Sequence, residues 1–420
     1  MLNLRSFLSS ATSLAFVLAL ASGQTPLTAP GVEALVRRAH ERFAAAGVAV
    51  AVVQDGEVLA EVAFGDRATG APVTPGTLFN IASCSKAFTA AAVALLVEEG
   101  KLGWDDRVVE HVPEFRMADA WITAHMTVRD LLSHRCGLVT FAGDLLWYDS
   151  DYDTEEVLRR IERLPIQQRF REQFGYQNLM YMVAGIVVQR TSGMPWEQVV
   201  EQRFFAPLGM VNSRASAQRL DASAEKALPH IDGKVIPDHE FVACKPAAAI
   251  YASVHELTAW MRMLLAGGKW NGETLIGDAS LREMWRPHVT IGGGTGAGTG
   301  DFRSYGLGWF LSLERGKKLV EHDGGMPGFL SKVSLMPAER FGFVVLNNAN
   351  DGVLNEAIKR GLLLARAGGD GLAEVERLAE IGVRLHSRDK SAVERRAAAR
   401  HPDTAPSLPL SAYAGTYVDE

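Results

Sequence analysis

Cysteine is scarce in this chain of 420 residues, and Cys84, Cys136 and Cys244 are too few to make a disulfide framework. Dense basic tracts are missing and the net charge is −6, so nucleic acid is not an expected partner. Beyond an apolar run near the N-terminus, no segment is long and apolar enough to span a bilayer. Metal-ligand spacing is also lacking: His255-Glu256 has no second histidine four residues on, as a zinc helix needs. The glycine-rich stretch from Gly292 to Gly300 holds no Gly-Lys-Ser/Thr and does not open a helix, so it reads as a loop and not as a phosphate cradle. Neither a metal nor another cofactor is expected.

What is present is the composition of a globular protein, 47% hydrophobic and 22% charged, at a length that suggests two lobes. Arg5, an apolar run from Leu14 to Ala21, and the small residues Ala21, Ser22 and Gly23 have the shape of a secretory signal over residues 1–23. The expectation is an exported protein, periplasmic or extracellular, with no stable membrane span after cleavage.

One stretch organises the rest, Asn80 to Glu99. From Ala87 to Val97 every residue but Thr89 is apolar. A helix apolar all round is a buried one. Its opening turn carries Ser83, Cys84, Ser85 and Lys86. Ser83 and Lys86 are three apart and share a helical face, at a terminus where backbone N–H groups lack partners and the dipole is positive. A serine nucleophile beside a lysine base is one reading of that placement. Against it, a serine at a helix start is commonly only a cap, and Ser223 and Lys226 match the same short pattern in a polar stretch that reads as solvated surface. Cys84 lies between the two but points off their shared face, and reads as a small packed side chain.

In chain order, Val32, Leu35, Val36, Ala39 and Phe43 recur at helical spacing, with Gly47 expected to end that helix. Val48 to Val53 and Val58 to Phe64 flank Asp55-Gly56, a hairpin signal. Residues 101–245 show helical patches and Pro-broken loops. Within them Thr127 to Leu138 reads as a short capped helix stopped by Gly137, with His134 as a packing histidine. Strand-like runs return at Tyr305 to Leu311, Lys318 to Glu321, Phe329 to Met336 and Phe341 to Leu346, and a helix from Leu354 to Ala367 follows. The fold class is therefore α+β: an antiparallel sheet flanked by helices, from 24–100 and 246–367, with an α-rich lobe, 101–245, inserted. Residues 368–409 read as a charged helix and a Pro linker, and 410–420 as the start of a truncated β module.

Two further motifs complete a constellation. Tyr176-Gln177-Asn178 offers a phenol for proton relay and a carboxamide to hold a substrate amide. His322-Asp323-Gly324-Gly325 closes a strand-like run, where glycines permit close approach to a substrate and the Gly325 N–H could serve as an oxyanion donor. Ser-x-x-Lys, Tyr-x-Asn and His-x-Gly in this order, with TPGTLFNIASCSKAFTA, TVRDLLSHRCGL, FGYQNLMYMVAG and EHDGGMPGF around them, resemble the serine hydrolases related to class C β-lactamases, DD-peptidases, D-aminopeptidases and their esterase cousins (β-lactamase/transpeptidase-like). The likeness runs from about Val32 to Leu364.

That resemblance implies acyl transfer to Ser83, with Lys86, Tyr176 and His322 as catalytic positions and Asn178, Asp323, Gly324 and Gly325 as substrate-binding ones. It implies a small-molecule or peptide substrate, hydrolysed at an amide or ester bond. Lys86 and Tyr176 both remain open as the base. β-Lactamases and DD-peptidases of this kind carry Lys-Thr-Gly or Lys-Ser-Gly where this chain has His-Asp-Gly. A carboxylate-bearing substrate would lose attraction there and meet repulsion from Asp323, which favours amine-bearing peptides, amides and neutral esters. A second class is a penicillin-recognising or cell-wall-binding protein that acylates without turnover.

Overall fold

The structure, a computed structural model, describes residues 27–239, 241–292, 303–400 and 404–415. The expected signal segment 1–23, nearly all of the glycine-rich loop and residues 416–420 lie outside them. A helix, α1 (Ala29–Phe43), leads into β1 (Gly47–Gln54) and β2 (Glu57–Ala68). The helix stops four residues before Gly47, because Ala44 takes the left-handed cap at φ 47° and Gly47 already belongs to the strand. Between β1 and β2, Asp55 and Gly56 both have positive φ, as a tight two-residue hairpin turn demands.

Seven further strands complete one antiparallel sheet: β3 (Ala71–Pro72), β4 (Val289–Thr290), β5 (Ser304–Tyr305), β6 (Phe310–Glu314), β7 (Lys317–Met326), β8 (Phe329–Met336) and β9 (Phe341–Asn347). Their spatial order is β4-β5-β6-β7-β8-β9-β1-β2-β3, so the first strand of the chain pairs with the last. β1 is apolar at nearly every position because both its faces are covered. Val48, Val50 and Val52 face α1 and a helix near the other end of the chain, α6 (Gly352–Arg366), in one buried cluster. Ala49, Ala51 and Val53 face the opposite side, in the cluster that holds the central helix. A strand's two-residue period sorts them so.

Between β3 and β4 the chain is mostly helical. It contributes α2 (Ser85–Glu98), α3 (Val128–Leu132), α4 (Asn178–Ser192) and α5 (Val254–Leu265). Every residue of α2 from Ser85 to Leu96 is buried, and Phe88 stacks on Trp260 of α5 with centroids 4.1 Å apart. Among the described residues no helix is long and apolar enough to cross a membrane.

Three local expectations change. The run Tyr305 to Leu311 is not one strand. Gly308, at φ +81°, turns against α2 so closely that a Cβ would meet the Lys86 carbonyl at 2.9 Å, and this contact splits β5 from β6. α3 is capped as expected by Thr127 and Asp130, but ends at Leu132, and His134 at φ 58° turns the chain before Gly137 is reached. At the end, α7 (Gly371–Ala398) is followed by a 3₁₀ turn at Leu410–Tyr413 where a strand was expected to begin.

Candidate active site

Ser83 sits in a 3₁₀ turn, Ala82–Cys84, that leads directly into α2. The residue before it, Ala82, is buried in a left-handed conformation at φ 44°, held by its N–H donating to Asn80 Oδ1 at 2.7 Å. Strain of this kind in a non-glycine residue persists only where the surroundings enforce it, and here it presents a half-buried hydroxyl at the floor of a cavity. Cys84 points the other way. Its thiol is within reach of the His322 carbonyl and Ser331 Oγ, both at 3.3 Å, and burial pushes its pKa up to about 12. It is packed and inert. The competing pair is elsewhere: Ser223 is exposed and Lys226 pairs with Asp238 at 2.9 Å.

Lys86 is the second residue of the buried helix, fully enclosed. Its Nζ donates to Ser83 Oγ at 3.1 Å, Asn178 Oδ1 at 2.7 Å and the Ala247 carbonyl at 3.0 Å, and stands 4.8 Å from the centroid of the Tyr176 ring. No carboxylate pairs with it directly, and burial pulls its pKa down to about 7. Asn178 opens α4, and its Nδ2 donates to Asp144 Oδ2 at 2.9 Å, while Trp147 Nε1 donates to Asp144 Oδ1 at 3.0 Å. Burial raises the Asp144 carboxyl above its ordinary range.

Tyr176 is delivered by a loop tied at several points. Its N–H donates to Thr140 Oγ1 at 3.1 Å, its carbonyl accepts from Phe141 N at 2.9 Å, and Gln177 N donates to His134 Nδ1 at 3.0 Å. His134 packs against the Tyr176 ring with centroids 4.2 Å apart, in the packing role expected of it. The Tyr176 hydroxyl is buried and makes no full hydrogen bond, although Ser83 is close enough to offset part of the burial that drives its pKa well above 10.

His322 belongs to the cavity wall but differs from expectation. It lies inside β7, and its Nδ1–H donates to the Asp323 carbonyl at 2.6 Å, so Nε2 is left to accept from the Tyr305 hydroxyl at 2.9 Å. Both ring nitrogens are thus engaged away from Ser83. Burial, and next the Lys86 charge, hold its pKa down to about 3, so it does not carry protons near neutrality. Asp323 reaches the cavity but is not a lone anion. Lys332 opposite it on β8 forms an ion pair with it, which blunts the repulsion expected of the carboxylate.

Gly324 allows β7 to close on the turn that carries Ser83, since a Cβ there would meet Ser331 Oγ at 2.1 Å and the Ile81 carbonyl at 2.3 Å. Gly325 follows it on the cavity rim. Ser83, Tyr176, Asn178, His322, Asp323, Gly324 and Gly325 all line one cavity of about 770 Å³, with Lys86 beneath Ser83. Its walls are largely apolar and include Phe141, Leu145, Trp147, Tyr148, Phe310 and Leu330. No arginine or lysine is among the described residues that line it. Among the described residues no group of three or more His, Cys, Asp or Glu could hold a metal ion.

Two participants escaped sequence reading. Asp144 carries a signal of sorts, a single acid within Phe-Ala-Gly-Asp-Leu-Leu-Trp-Tyr, where burial of a carboxylate needs a purpose. Ala247 contributes only its carbonyl, which no side-chain pattern reveals.

The model of the family described as Beta-lactamase matches residues 32–367. Among curated proteins the chain is similar to the unguisins hydrolase ungD' of Aspergillus campestris, 28% identical over 343 residues, which are 75% of this chain and 60% of that protein. The chain spans about 60% of the length of the curated relatives it matches. Among solved structures it is similar to the octameric penicillin-binding protein homologue from Pyrococcus abyssi, with TM-score 0.71 and 22% identity over 83% of this chain and 79% of that one. It is also similar to the D-amino acid amidase from Ochrobactrum anthropi, with TM-score 0.64 and 21% identity over 85% of this chain and 98% of that one. At these identities the structural likenesses establish a common fold.

Proposed function

The chain belongs to the Beta-lactamase family, and on that premise we propose that it is a serine hydrolase that forms an acyl-enzyme on Ser83 and acts on amides or esters with an apolar acyl part. The observation that carries this is the bonding of Lys86. Of the three groups around its Nζ, the Asn178 oxygen and the Ala247 carbonyl can only accept, whereas the Ser83 hydroxyl can donate or accept. When Lys86 loses its proton, its lone pair therefore has one donor to turn to, Ser83. A lysine pulled to about 7 by burial populates that neutral form at physiological pH.

The steps follow. Ser83 Oγ attacks the carbonyl as its proton passes to Lys86, and the N–H groups of Ser83 and Gly325 receive the oxyanion. The C–N or C–O bond then breaks, with the proton returned to the leaving group through the Tyr176 hydroxyl. Tyr176, held well above pH 10, stays a phenol and serves as relay, which supports Lys86 as the base. Water, deprotonated by the same lysine, adds to the acyl carbonyl, and Ser83 leaves with a proton.

Substrate class follows from the walls. An apolar cavity with no cation among the described residues that line it offers a substrate carboxylate little attraction, while the Asp144 carboxylate suits a neutral or amine-bearing acyl group. Intact-mass detection of a Ser83 adduct, across p-nitrophenyl esters, D-amino-acid amides and β-lactams, tests the proposal. Transient adducts with turnover on the first two classes are expected. No adduct at Ser83 with any ester would overturn the mechanism, and a stable β-lactam adduct without turnover would favour a penicillin-recognising protein instead.

A further inference from the structure

A second cavity, of about 530 Å³, lies apart from Ser83 and is polar where the first is apolar. Arg129, Arg135, Arg171 and Arg286 line it together with Asp105 and His288. Four guanidinium groups meet three carboxylates there, and the carboxylates are already committed. Arg129 holds Asp105 through Nε and Nη2, at 2.7 and 2.8 Å, and pairs with Glu283 through Nη1. Asp130, completely buried behind the cavity, accepts from Arg135 Nε at 2.7 Å and from Arg171 Nη2 at 2.8 Å. Arg286 has only a 3.4 Å approach to Glu283.

Among the described residues, Arg135 Nη2, Arg171 Nη1 and the Nε and Nη1 of Arg286 make no hydrogen bond. These unused donors come from three chain segments around one opening, and a positive charge is left uncompensated. The excess is felt by His288, whose imidazole is held down to about 3 by burial and by Arg129, Arg135 and Arg286. A planar carboxylate is saturated by one or two guanidinium forks. Three edges suit an ion with more acceptor oxygens.

We propose that this cavity binds a tetrahedral oxyanion, phosphate or sulfate or a phosphate monoester, bridging Arg135 and Arg171 to Arg286. The bridge would join two parts of the fold. Arg171 N–H donates to the Arg135 carbonyl at 2.8 Å and leads the loop that delivers Tyr176. Arg286 precedes β4 at the edge of the sheet. An anion held between them rivets that loop to the sheet and stabilises the folded state by mass action.

The test is thermal melting of the whole chain in inorganic phosphate, sulfate and glycerol 3-phosphate, each against chloride at matched ionic strength. A saturable rise in Tm with the oxyanions, absent in chloride, is expected, along with a shift of the His288 ring resonances over the same concentrations. Arg286→Gln alters a largely exposed side chain and should fold normally, yet raise the half-saturating concentration at least tenfold. Tighter binding of glycerol 3-phosphate than of inorganic phosphate would identify a phosphate monoester as the ligand, and the reverse a free ion; both outcomes support the site. Equal Tm rises in chloride and phosphate, or an unchanged phosphate curve in Arg286→Gln, would overturn it.

Discussion

At Lys86 the chemistry is set by what surrounds one nitrogen. With a folded pKa of about 7 and the proposed role of base, which needs the neutral amine, acylation should fall tenfold per pH unit below the inflection and level off above it. The competing titrant is removed by its burial: His322, held at about 3, is neutral on both sides of that inflection. His322→Gln should therefore leave an inflection near pH 7 in place, and its disappearance in a single-turnover pH profile would return the role to the histidine. Asp144 supplies a signed control. Its negative charge raises the Lys86 pKa against the pull of burial, so Asp144→Asn should move the inflection to lower pH. Lys86→Ala should slow acylation by ~10²–10⁴-fold, measured as the pre-steady-state rate with a p-nitrophenyl ester.

At the scale of elements, the contact of β7 with the turn before α2 decides whether Ser83 and Gly325 face one carbonyl. Gly324→Ala places a methyl on Ser331 Oγ and the Ile81 carbonyl. Overpacking of this sort typically costs about 1–3 kcal/mol, and a shift of ~1 Å between catalytic groups costs on the order of 10²-fold. We expect a modest loss of Tm with a disproportionate loss of acylation rate; equal activity at lower Tm would show that β7 does not hold the oxyanion donor. Much of this scaffold is legible in the sequence because it is encoded locally. The all-apolar α2, the Asp55-Gly56 hairpin, β8 at Phe329–Met336 and the closing helix each carry their own period or turn residues. What escapes is encoded at a distance. The break between β5 and β6 exists because Gly308 touches α2, more than two hundred residues earlier in the chain. Neutralisation of Asp323 depends on a lysine nine positions on, across a hairpin whose register no composition reveals. The motif residues Ser83, Lys86, Tyr176 and Asn178 could be named from spacing and resemblance. Lys86 could be preferred as the base only once its three bonding partners were known.

At the scale of the molecule, the cavity is assembled from segments far apart in the chain, with Lys86 bonded to Asn178, 92 residues away, and to Ala247, 161 residues away. A site so dispersed survives only while the body between its parts is intact. One buried cluster runs without interruption from Ala49 and Val344 in the sheet, through Phe88 and Leu95 of α2, to Val183 and Val187 of α4. The helical part therefore has no separate core to fall back on, and local opening of the site should require loss of the packing that holds the sheet. α7 is different. Val375, Leu378 and Ala379 are buried, whereas Val383 and Val393 farther along are 63% and 65% exposed, so its distal turns have little to hold them and should fray first. In a urea titration, acylation activity and tryptophan fluorescence, whose eight contributors include the buried Trp260 and Trp309, should fall in one coincident transition. Far-UV circular dichroism should show a small earlier loss of helix from α7 with activity unchanged. Activity that disappears well before the tryptophan signal would mean that the helical part opens independently of the sheet, against the continuity of the core seen here.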